Sequence, residues 1–333
     1  MKKLINQPDA YVDEALEGLC GAYPGYRRLG RSLRVVARNA NPTPGRVGVV
    51  TGGGFGHLPV FAGYVGQGML DACAVGDVFA GPPVDICAEA IRSADGGAGV
   101  LCVLGNYGGD RMSFAQACDT VADEGGLTKT VVVADDVASA LASERHKRRG
   151  VAGMIFAFKV AGASAARGDA LATVAELTAR AADRTRTMGV ALSPCLIPGS
   201  SVPGFSVADG MVEIGMGIHG EPGIEQREML TADAAATTMV HRLLADRSEQ
   251  GGRVAILVNS LGATPLEELL IVYRKVASLL GGVGIDIARR YVGHYATSME
   301  MAGCSISLLD LDSELESLLI APTECPFWPA RTC

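Results

Sequence analysis

The chain has 333 residues, 48% of them hydrophobic and 20% charged, which suits a folded protein with a substantial core and excludes intrinsic disorder. The net charge is -7 and the sequence pI is about 5.3, without the basic face that nucleic-acid-binding proteins use. No apolar run is long enough to cross a membrane, and no apolar stretch follows the two lysines at the N-terminus, so we expect neither a membrane span nor a secretory signal.

In the first half of the chain, short apolar runs alternate with helical patterns. The predicted strands are 46–51, 100–104 and 130–134. The helices predicted to follow them are 57–66, 110–124 and 149–182, the last broken near Gly168. This alternation is typical of β-α-β units in a largely parallel sheet.

The same alternation continues in the second half. The predicted strands are 188–192, 212–216, 253–259, 284–292 and 304–309. Helices are predicted at 231–246, at 265–281 and near the C-terminus. We therefore predict an α/β protein with two α/β domains, residues 1–185 and 186–333, each a mixed and largely parallel sheet flanked by helices.

The nine cysteines are irregularly spaced. None forms a CxxC or CxxH pair, which argues against a zinc site, and we predict no metal on this chain. Several lie within apolar runs, where a free thiol behaves as a small hydrophobic side chain. This usage is typical of a reducing compartment and predicts a cytoplasmic protein.

A glycine-rich turn, GGGFGH at 52–57, follows the first predicted strand. Ligands of open α/β sheets bind at the carboxyl ends of the strands, where glycines let the backbone approach them closely. The residues are equally compatible with a turn built only for tight packing. His57 at the end of the turn favours a functional site, because an imidazole there can take part in acid–base chemistry.

A second loop, Gly105-Asn106-Tyr107-Gly108-Gly109-Asp110, follows the second predicted strand at the same sheet edge. Taken alone, Asp110 is best explained as the N-cap of a helix. The convergence of two loops on one edge makes a catalytic carboxylate the alternative.

The third motif, GMGIHGEPG at 215–223, surrounds His219 with glycines and a proline. An isolated histidine is more often structural than catalytic. Here the specialised backbone exceeds what a plain loop needs, and a neutral imidazole is a competent nucleophile. His146, His241 and His294 are predicted to be structural. In the turn at 259–268, Thr264 is predicted to cap the helix that begins at Pro265.

Together the motifs resemble one family over essentially the whole chain: the dihydroxyacetone-binding subunit of dihydroxyacetone kinases, the DhaK type. The motifs that carry the resemblance are MKKLIN at 1–6, GGGxGH at 52–57, GYVGQGM at 63–69, NYxGD at 106–110, RRGVA at 148–152, GIHGEPGI at 217–224 and LGATP at 261–265. Their number and order make chance similarity very improbable.

The resemblance implies a homodimeric two-domain α/β subunit with a covalent mechanism. It implies that His219 attacks the ketone carbon of the substrate and forms a hemiaminal. His57 hydrogen-bonds the substrate, and Asp110 accepts the proton of the attacking hydroxyl. The turn at Gly54, Phe55 and Gly56 would hold substrate oxygens.

The resemblance also implies a partner and a cofactor that this chain does not carry. A separate nucleotide-binding subunit of the DhaL type would supply ADP or ATP with Mg²⁺, and no cofactor is expected on this chain. The sequence does not indicate whether the phosphate donor is ATP or a phosphoprotein of the phosphotransferase system.

Three positions depart from the family pattern. Phe55 stands where serine is usual, Leu58 where glutamate is frequent, and Gly105 where lysine is frequent. Gly105 would open room for a longer ketose such as erythrulose, whereas Phe55 would fill it, and the sequence does not decide between these effects. We count Gly105 among the substrate-binding positions.

Three other functions compete with the kinase subunit. A dihydroxyacetone-sensing paralogue that acts with a transcription regulator would keep both histidines. A fatty-acid-type binder is disfavoured by the polar, glycine-rich site. An NAD-dependent dehydrogenase is disfavoured because no GxGxxG turn with a downstream acidic residue is present.

Overall fold

The computed structural model of the chain describes residues 2–247 and 251–329, which form two six-stranded mixed sheets. The first half contains, in order, α1 (Tyr11–Ala22), β1 (Tyr26–Leu29), β2 (Val35–Arg38), β3 (Gly48–Phe55), β4 (Ala72–Val78), α2 (Val84–Ala94), β5 (Val100–Gly105), α3 (Gly108–Asp123), β6 (Thr128–Val133), α4 (Met154–Arg167) and α5 (Leu171–Asp183). The second half contains β7 (Thr185–Ser193), β8 (Met211–Ile214), β9 (Glu225–Glu228), α6 (Ala232–Asp246), β10 (Arg253–Ser260), α7 (Leu266–Gly282), β11 (Asp286–Gly293), β12 (Ala302–Leu311) and α8 (Ser313–Ile320).

The first sheet has the order β1-β2-β4-β3-β5-β6. Its strands β4, β3, β5 and β6 pair in parallel, and β1 and β2 add an antiparallel edge. Every residue of β3 and β5 is buried, as expected for central parallel strands with helices on both faces. The carboxyl ends of β3, β4 and β5 therefore meet at one edge, as the motif positions predicted.

The second sheet has the order β11-β10-β12-β7-β8-β9, and only β10 and β11 pair in parallel. The predicted fold class, two α/β units with mixed sheets flanked by helices, is confirmed. Parallel pairing dominates only the first sheet. β7, β8 and β9 follow one another without an intervening helix, and such connections favour antiparallel pairing.

Helix α4 lies between the two sheets, where twelve consecutive residues, Met154 to Ala165, are buried. On one side α4 contacts β3 and β5, and on the other the ring of Phe156 lies 6.0 Å from that of Tyr291 in β11. The helix ends at Gly168, whose φ of 92° is the left-handed conformation that glycine accommodates. The predicted break at Gly168 is confirmed.

The helix predicted at 57–66 is wrong. Strand β3 runs through the glycines to Phe55, and the chain then forms a turn with a single 3-10 turn at Ala62–Tyr64. Pro59 lacks an amide hydrogen and disfavours helical conformation of the residue before it. The glycine turn therefore does not open a helix.

Six elements were not indicated by the sequence patterns: α1, β1, β2, β4, α2 and β9. Three of them, β1, β2 and β9, have only four residues, too few for a periodic pattern to stand out. Strand β4 consists largely of alanine, cysteine and glycine rather than the β-branched residues that mark a strand.

The domain boundary predicted at 185 coincides with the start of β7. After β12, however, the chain returns to the first half. Lys159 Nζ in α4 donates a hydrogen bond to Leu318 O in α8 at 3.1 Å, and Glu324 N donates to Gln67 O at 2.9 Å. The division into 1–185 and 186–333 stays a prediction. Within residues 2–247 and 251–329, no helix combines the length and the apolar character needed to cross a membrane.

Candidate active site

The loop that carries His219 leaves β8 and turns tightly through its glycines. Gly215 and Gly220 have φ angles of 81° and 84°, which side-chain-bearing residues rarely adopt. A Cβ at Gly220 would stand 2.3 Å from the Phe205 ring, and one at Gly223 would stand 2.2 Å from Ile214 O. Both backbone conformation and close packing thus require the glycines around His219.

His219 is held by Glu221 through two hydrogen bonds. Its backbone N–H donates to Oε2 and its ring Nδ1 to Oε1, each at 3.0 Å. A carboxylate only accepts, so Nδ1 carries a proton, and in the neutral form of the ring the lone pair lies on Nε2. Burial opposes the ionisation of Glu221, but the hydrogen bond and charge of His219 prevail and lower its pKa to about 2. Sequence reasoning missed Glu221, although its position two residues after a histidine was a usable signal.

His57 follows β3 and points into the same space as His219. Its Nδ1 lies 2.8 Å from Thr297 O, so this nitrogen donates to the carbonyl and Nε2 is an acceptor. Among the residues that the structure describes, Nε2 has no hydrogen-bond partner. Burial, assisted by the charge of His219, lowers the pKa of His57 to about 3, so the ring is neutral.

Aromatic rings bring the two histidines together. The His57 and His219 rings are 4.8 Å apart between centroids, at 74°. Phe79 stacks on His57 at 4.9 Å and meets His219 at 5.5 Å, and Tyr107 meets His219 edge-on at 4.6 Å. Phe79 was missed by the sequence analysis, because an aromatic residue after an unpredicted strand gives no signal of its own.

Asp110 is the third residue of α3 and not its N-cap. The cap position is Tyr107, whose side chain makes no capping hydrogen bond. Asp110 Oδ1 is buried and has no hydrogen-bond partner within the described part of the chain. Burial raises the pKa of Asp110 to about 6, against the opposing charge of His219. The Oδ1 atom faces Gly81, where a Cβ would stand 2.4 Å away.

The glycine turn meets the loop that follows β4. A Cβ at Gly54 would lie 2.8 Å from Ala80 N, and one at Gly56 would lie 2.9 Å from the Phe79 ring. The Phe55 ring instead packs in the core against Tyr11 of α1, with centroids 5.8 Å apart. Of the three predicted turn residues, Gly54 and Gly56 thus approach Phe79, and Phe55 does not direct its side chain there.

Gly105 offers no open space for a larger ligand. A Cβ at this position would lie 2.9 Å from Met154 Sδ and 3.2 Å from the Tyr107 ring. Met154 and Tyr107 thus occupy the space that a side chain at Gly105 would take. The expectation that Gly105 opens room, and the opposite expectation that Phe55 fills it, both lack support in the geometry.

The predicted cap at Thr264 is wrong. Helix α7 begins at Leu266 after Pro265, which makes no side-chain cap, and Thr264 Oγ1 accepts from Gly303 N at 2.7 Å instead. This threonine therefore joins the loop after β10 to the start of β12.

Around His219, the buried polar atoms without partners in residues 2–247 and 251–329 are His57 Nε2, Asp110 Oδ1 and the Tyr107 hydroxyl. Buried polar groups are normally hydrogen-bonded, so three exceptions near His219 indicate a place for a polar ligand. A lone pair on nitrogen, an acceptor nitrogen and a basic carboxylate suit a small polyhydroxylated carbonyl compound.

Comparisons with known proteins show which proteins this chain resembles. The sequence profile of the Dak1 domain matches residues 17–327. The L-erythrulose kinase of Pectobacterium atrosepticum is 41% identical over 98% of this chain and 56% of its own length. The dihydroxyacetone-binding subunit DhaK of the PTS-dependent dihydroxyacetone kinase 1 of Listeria innocua is 40% identical over 94% of this chain and 95% of its own. This chain thus spans little more than half of the first relative and nearly all of the second.

Solved structures show the same similarity. The dihydroxyacetone kinase of C. freundii superposes with a TM-score of 0.93 at 34% identity, covering 100% of this chain and 61% of that one. The dihydroxyacetone kinase operon co-activator DhaQ superposes with a TM-score of 0.89 at 32% identity, covering 96% and 98%. The resemblance predicted from the motifs is confirmed by these matches.

Proposed function

This chain belongs to the Dak1 domain family, and we propose that it is the substrate-binding subunit of a dihydroxyacetone (glycerone) kinase that captures a short ketose on His219. The observation that carries the proposal is the hydrogen bonding of His219 and of the polar atoms around it. His219 Nδ1 is hydrogen-bonded to Glu221, and the buried acceptor Nε2 of His57 and Oδ1 of Asp110 have no partner in the described structure. A nucleophile beside two unpaired proton acceptors suits a substrate with both a carbonyl and hydroxyl groups.

In the first step, His219 Nε2 adds to the ketone carbon. The ring gains positive charge, which the Glu221 carboxylate balances through Nδ1. The former carbonyl oxygen takes a proton from solvent water, and the Nδ1 proton is passed by way of Glu221 to the hydroxide so formed, which yields a neutral hemiaminal and restores the carboxylate. Polyols such as glycerol lack a carbonyl, so this step selects ketoses by reactivity rather than by size.

In the second step, the captured ketose presents its terminal hydroxyl for phosphorylation. Covalent attachment fixes that hydroxyl in one pose and so reduces the entropic part of the barrier. Asp110, whose pKa of about 6 places a basic carboxylate near neutral pH, accepts the hydroxyl proton. His57 Nε2 accepts a hydrogen bond from the substrate and orients it.

The phosphate would come from a separate nucleotide-binding subunit of the DhaL type, with ADP or ATP and Mg²⁺. The likeness to the DhaK subunit of Listeria innocua supports this division, because that relative is named as the binding subunit alone and matches over nearly its full length. We further propose that the subunit is a homodimer. We also propose that it is cytoplasmic, in keeping with the cysteine usage of the chain.

The ketose is either dihydroxyacetone or erythrulose, since relatives named for each are about equally similar. Phe55 and Gly105 do not favour either sugar, because the Phe55 ring packs on Tyr11 and the space beside Gly105 is taken by Met154.

A sensor is the second candidate function, favoured by the likeness to the operon co-activator over nearly the whole of both chains. A sensor would capture the ketose in the same way but would not transfer phosphate. Adding a DhaL-type subunit with ATP and Mg²⁺, or with a phosphoprotein donor, separates the two functions. Ketose phosphate formation supports the kinase, and its absence with every donor supports the sensor.

The capture step is tested directly by intact-protein mass spectrometry with dihydroxyacetone and with erythrulose. We expect a mass gain of one ketose in the wild type and in His241→Ala, an exposed control on α6, and none in His219→Ala. With ¹³C-labelled ketose, the carbonyl signal should move to the tetrahedral region. A folded wild type that gives no adduct with either sugar would refute covalent capture.

A further inference from the structure

Arg149 lies in the connection between β6 and α4, yet it reaches the loop that carries His219. Its Nε donates to Asp136 Oδ2 at 2.8 Å, and its Nη2 donates to Gly215 O at 2.9 Å. The side chain is only 14% exposed. One guanidinium therefore joins the first half of the chain to the start of the nucleophile loop.

The third edge of this guanidinium faces Glu221. A Cβ built on Gly217 would stand 2.7 Å from Arg149 Nη1 and 2.1 Å from Glu221 Oε2, so the two groups face each other across this glycine. Burial opposes the ionisation of Glu221, and the positive charge of Arg149 adds to the larger effect of His219 in lowering its pKa. The guanidinium thus acts on both ends of the turn from Gly215 to Glu221.

Arg149 itself is held in one orientation. Asp136 is almost fully buried, and its Oδ1 accepts from Ala138 N at 3.0 Å. Main-chain bonds join the same two segments, with Asp136 N donating to Arg149 O at 3.1 Å and Arg149 N donating to Ser139 Oγ at 3.0 Å. A planar guanidinium fixed in this way imposes a direction on the groups that it meets, which a lysine ammonium does not.

We propose that Arg149, oriented by Asp136, is a positioning residue that holds Glu221 against His219 Nδ1 and so keeps Nε2 free for attack. It acts through Glu221 and does not touch the reacting atoms. The expected effect of Arg149 on ketose capture rests on the function proposed above, whereas its expected effect on the tautomer of the His219 ring does not. Through its hydrogen bonds to Asp136 and to Gly215 O, Arg149 also couples the first half of the chain, which carries Asp110 and His57, to the loop that carries His219.

The ring is tested first, without any ketose, by ¹⁵N NMR of histidine-labelled protein, with the His219 signals assigned by comparison with His219→Ala. The wild type should show a single tautomer with the proton on Nδ1. Arg149→Met should show exchange between tautomers at His219, and Arg149→Lys should restore the wild-type pattern only in part. Arg242→Met, which removes a half-exposed arginine paired with Glu225, serves as the matched control and should leave the pattern unchanged.

Gly217→Ala provides a second variant in case Arg149→Met does not fold. Its methyl group would meet two flexible side-chain ends rather than backbone, so it should displace Glu221 and Arg149 without removing a charge. Exchange at His219 in Gly217→Ala supports the proposal. A single Nδ1–H tautomer in every folded variant would overturn it.

Ketose capture then shows whether Arg149 acts through Glu221. Arg149→Met and Glu221→Gln should each weaken adduct formation by about 10- to 100-fold, as for the loss of a hydrogen bond to a charged group. The double variant should be little worse than Glu221→Gln alone, because coupled residues are not additive. Additive losses would assign Arg149 a separate structural role. Should the wild type form no adduct, the proposed function fails, and the NMR result still decides the positioning role.

Discussion

The two histidines of the site show how surroundings assign different tasks to the same side chain. His57 is fully buried, donates Nδ1 to a backbone carbonyl and stays neutral. His219 is partly exposed and donates Nδ1 to a carboxylate, which would stabilise the positive charge that develops in the proposed attack by Nε2. The first ring therefore suits hydrogen bonding to the substrate, and the second suits nucleophilic attack.

The burial that makes Asp110 more basic is also predicted to lower the free energy of unfolding at neutral pH. Its pKa is raised by burial to about 6 in the folded chain, against 3.8 ordinarily, so the folded state binds the proton more tightly than the unfolded state. The free energy of unfolding should thus fall as the pH rises from about 4 to 6, by about 3 kcal/mol. Asp110→Asn should remove this loss, which urea unfolding at about pH 4 and pH 8 would measure.

The same variant also tests the catalytic role of Asp110. With the partner subunit present, ketose phosphorylation should fall by about 10²- to 10⁴-fold while the His219 adduct still forms. For the wild type, the phosphorylation rate should rise with pH around pH 6, where the carboxyl ionises. Equal rates for Asp110→Asn and wild type would exclude Asp110 as the base.

At the scale of elements, the site depends on how closely β3 approaches the loop after β4. A Cβ at Gly54 would meet backbone atoms of Phe79 and Ala80 at 2.8–2.9 Å, and backbone moves away less readily than a side-chain end. Gly54 is therefore required for the close contact that places Phe79 against both histidines.

Gly54→Ala should consequently destabilise the fold by about 1–3 kcal/mol and reduce ketose capture. Gly109→Ala is the matched control, since a Cβ there meets nothing within 4 Å and the position lies in the first turn of α3. The control should be unchanged or more stable by up to about 1 kcal/mol, because alanine favours helix. Chemical denaturation of both variants provides the comparison, and equal stabilities would contradict the predicted close contact.

At the scale of the whole molecule, α4 holds the two sheets together, and its one buried charge faces the C-terminal helix. Lys159 is fully buried and donates its single protein hydrogen bond in the described chain to Leu318 O. Burial lowers the pKa of Lys159 to about 8. Since the charged form is disfavoured in the folded state, the stability contributed by this residue is greatest at high pH and is lost as the pH falls through about 8.

Lys159→Met should therefore raise the free energy of unfolding at neutral pH by about 1–3 kcal/mol, less what the lost hydrogen bond contributed. The wild type should gain stability between about pH 8 and pH 10, and the variant should not. Lys129→Met, which changes an exposed lysine on β6, is the control and should keep the wild-type pH dependence. A variant that unfolds more readily at neutral pH would show that Leu318 O needs the ammonium group.

Much of the architecture was predictable because its signals are local. The β-branched runs that became β3, β5, β6 and β10, the helix break at Gly168, and the placement of two glycine-rich loops at one sheet edge all follow from short stretches of sequence. The motifs around His57, Asp110 and His219 likewise identified the family, because their residue types and order are specific.

The remainder was decided by contacts between distant segments. The sequence by itself determined which residues are proposed to carry the chemistry, since a histidine among glycines and an aspartate at the end of a glycine-rich loop stand out in short local motifs. Only the tertiary structure decided that Phe79 packs against both histidines, that Thr297 sets the tautomer of His57, and that Met154 fills the space beside Gly105. These contacts join residues far apart along the chain, and their geometry depends on the packing of both sheets on α4, which no local pattern records.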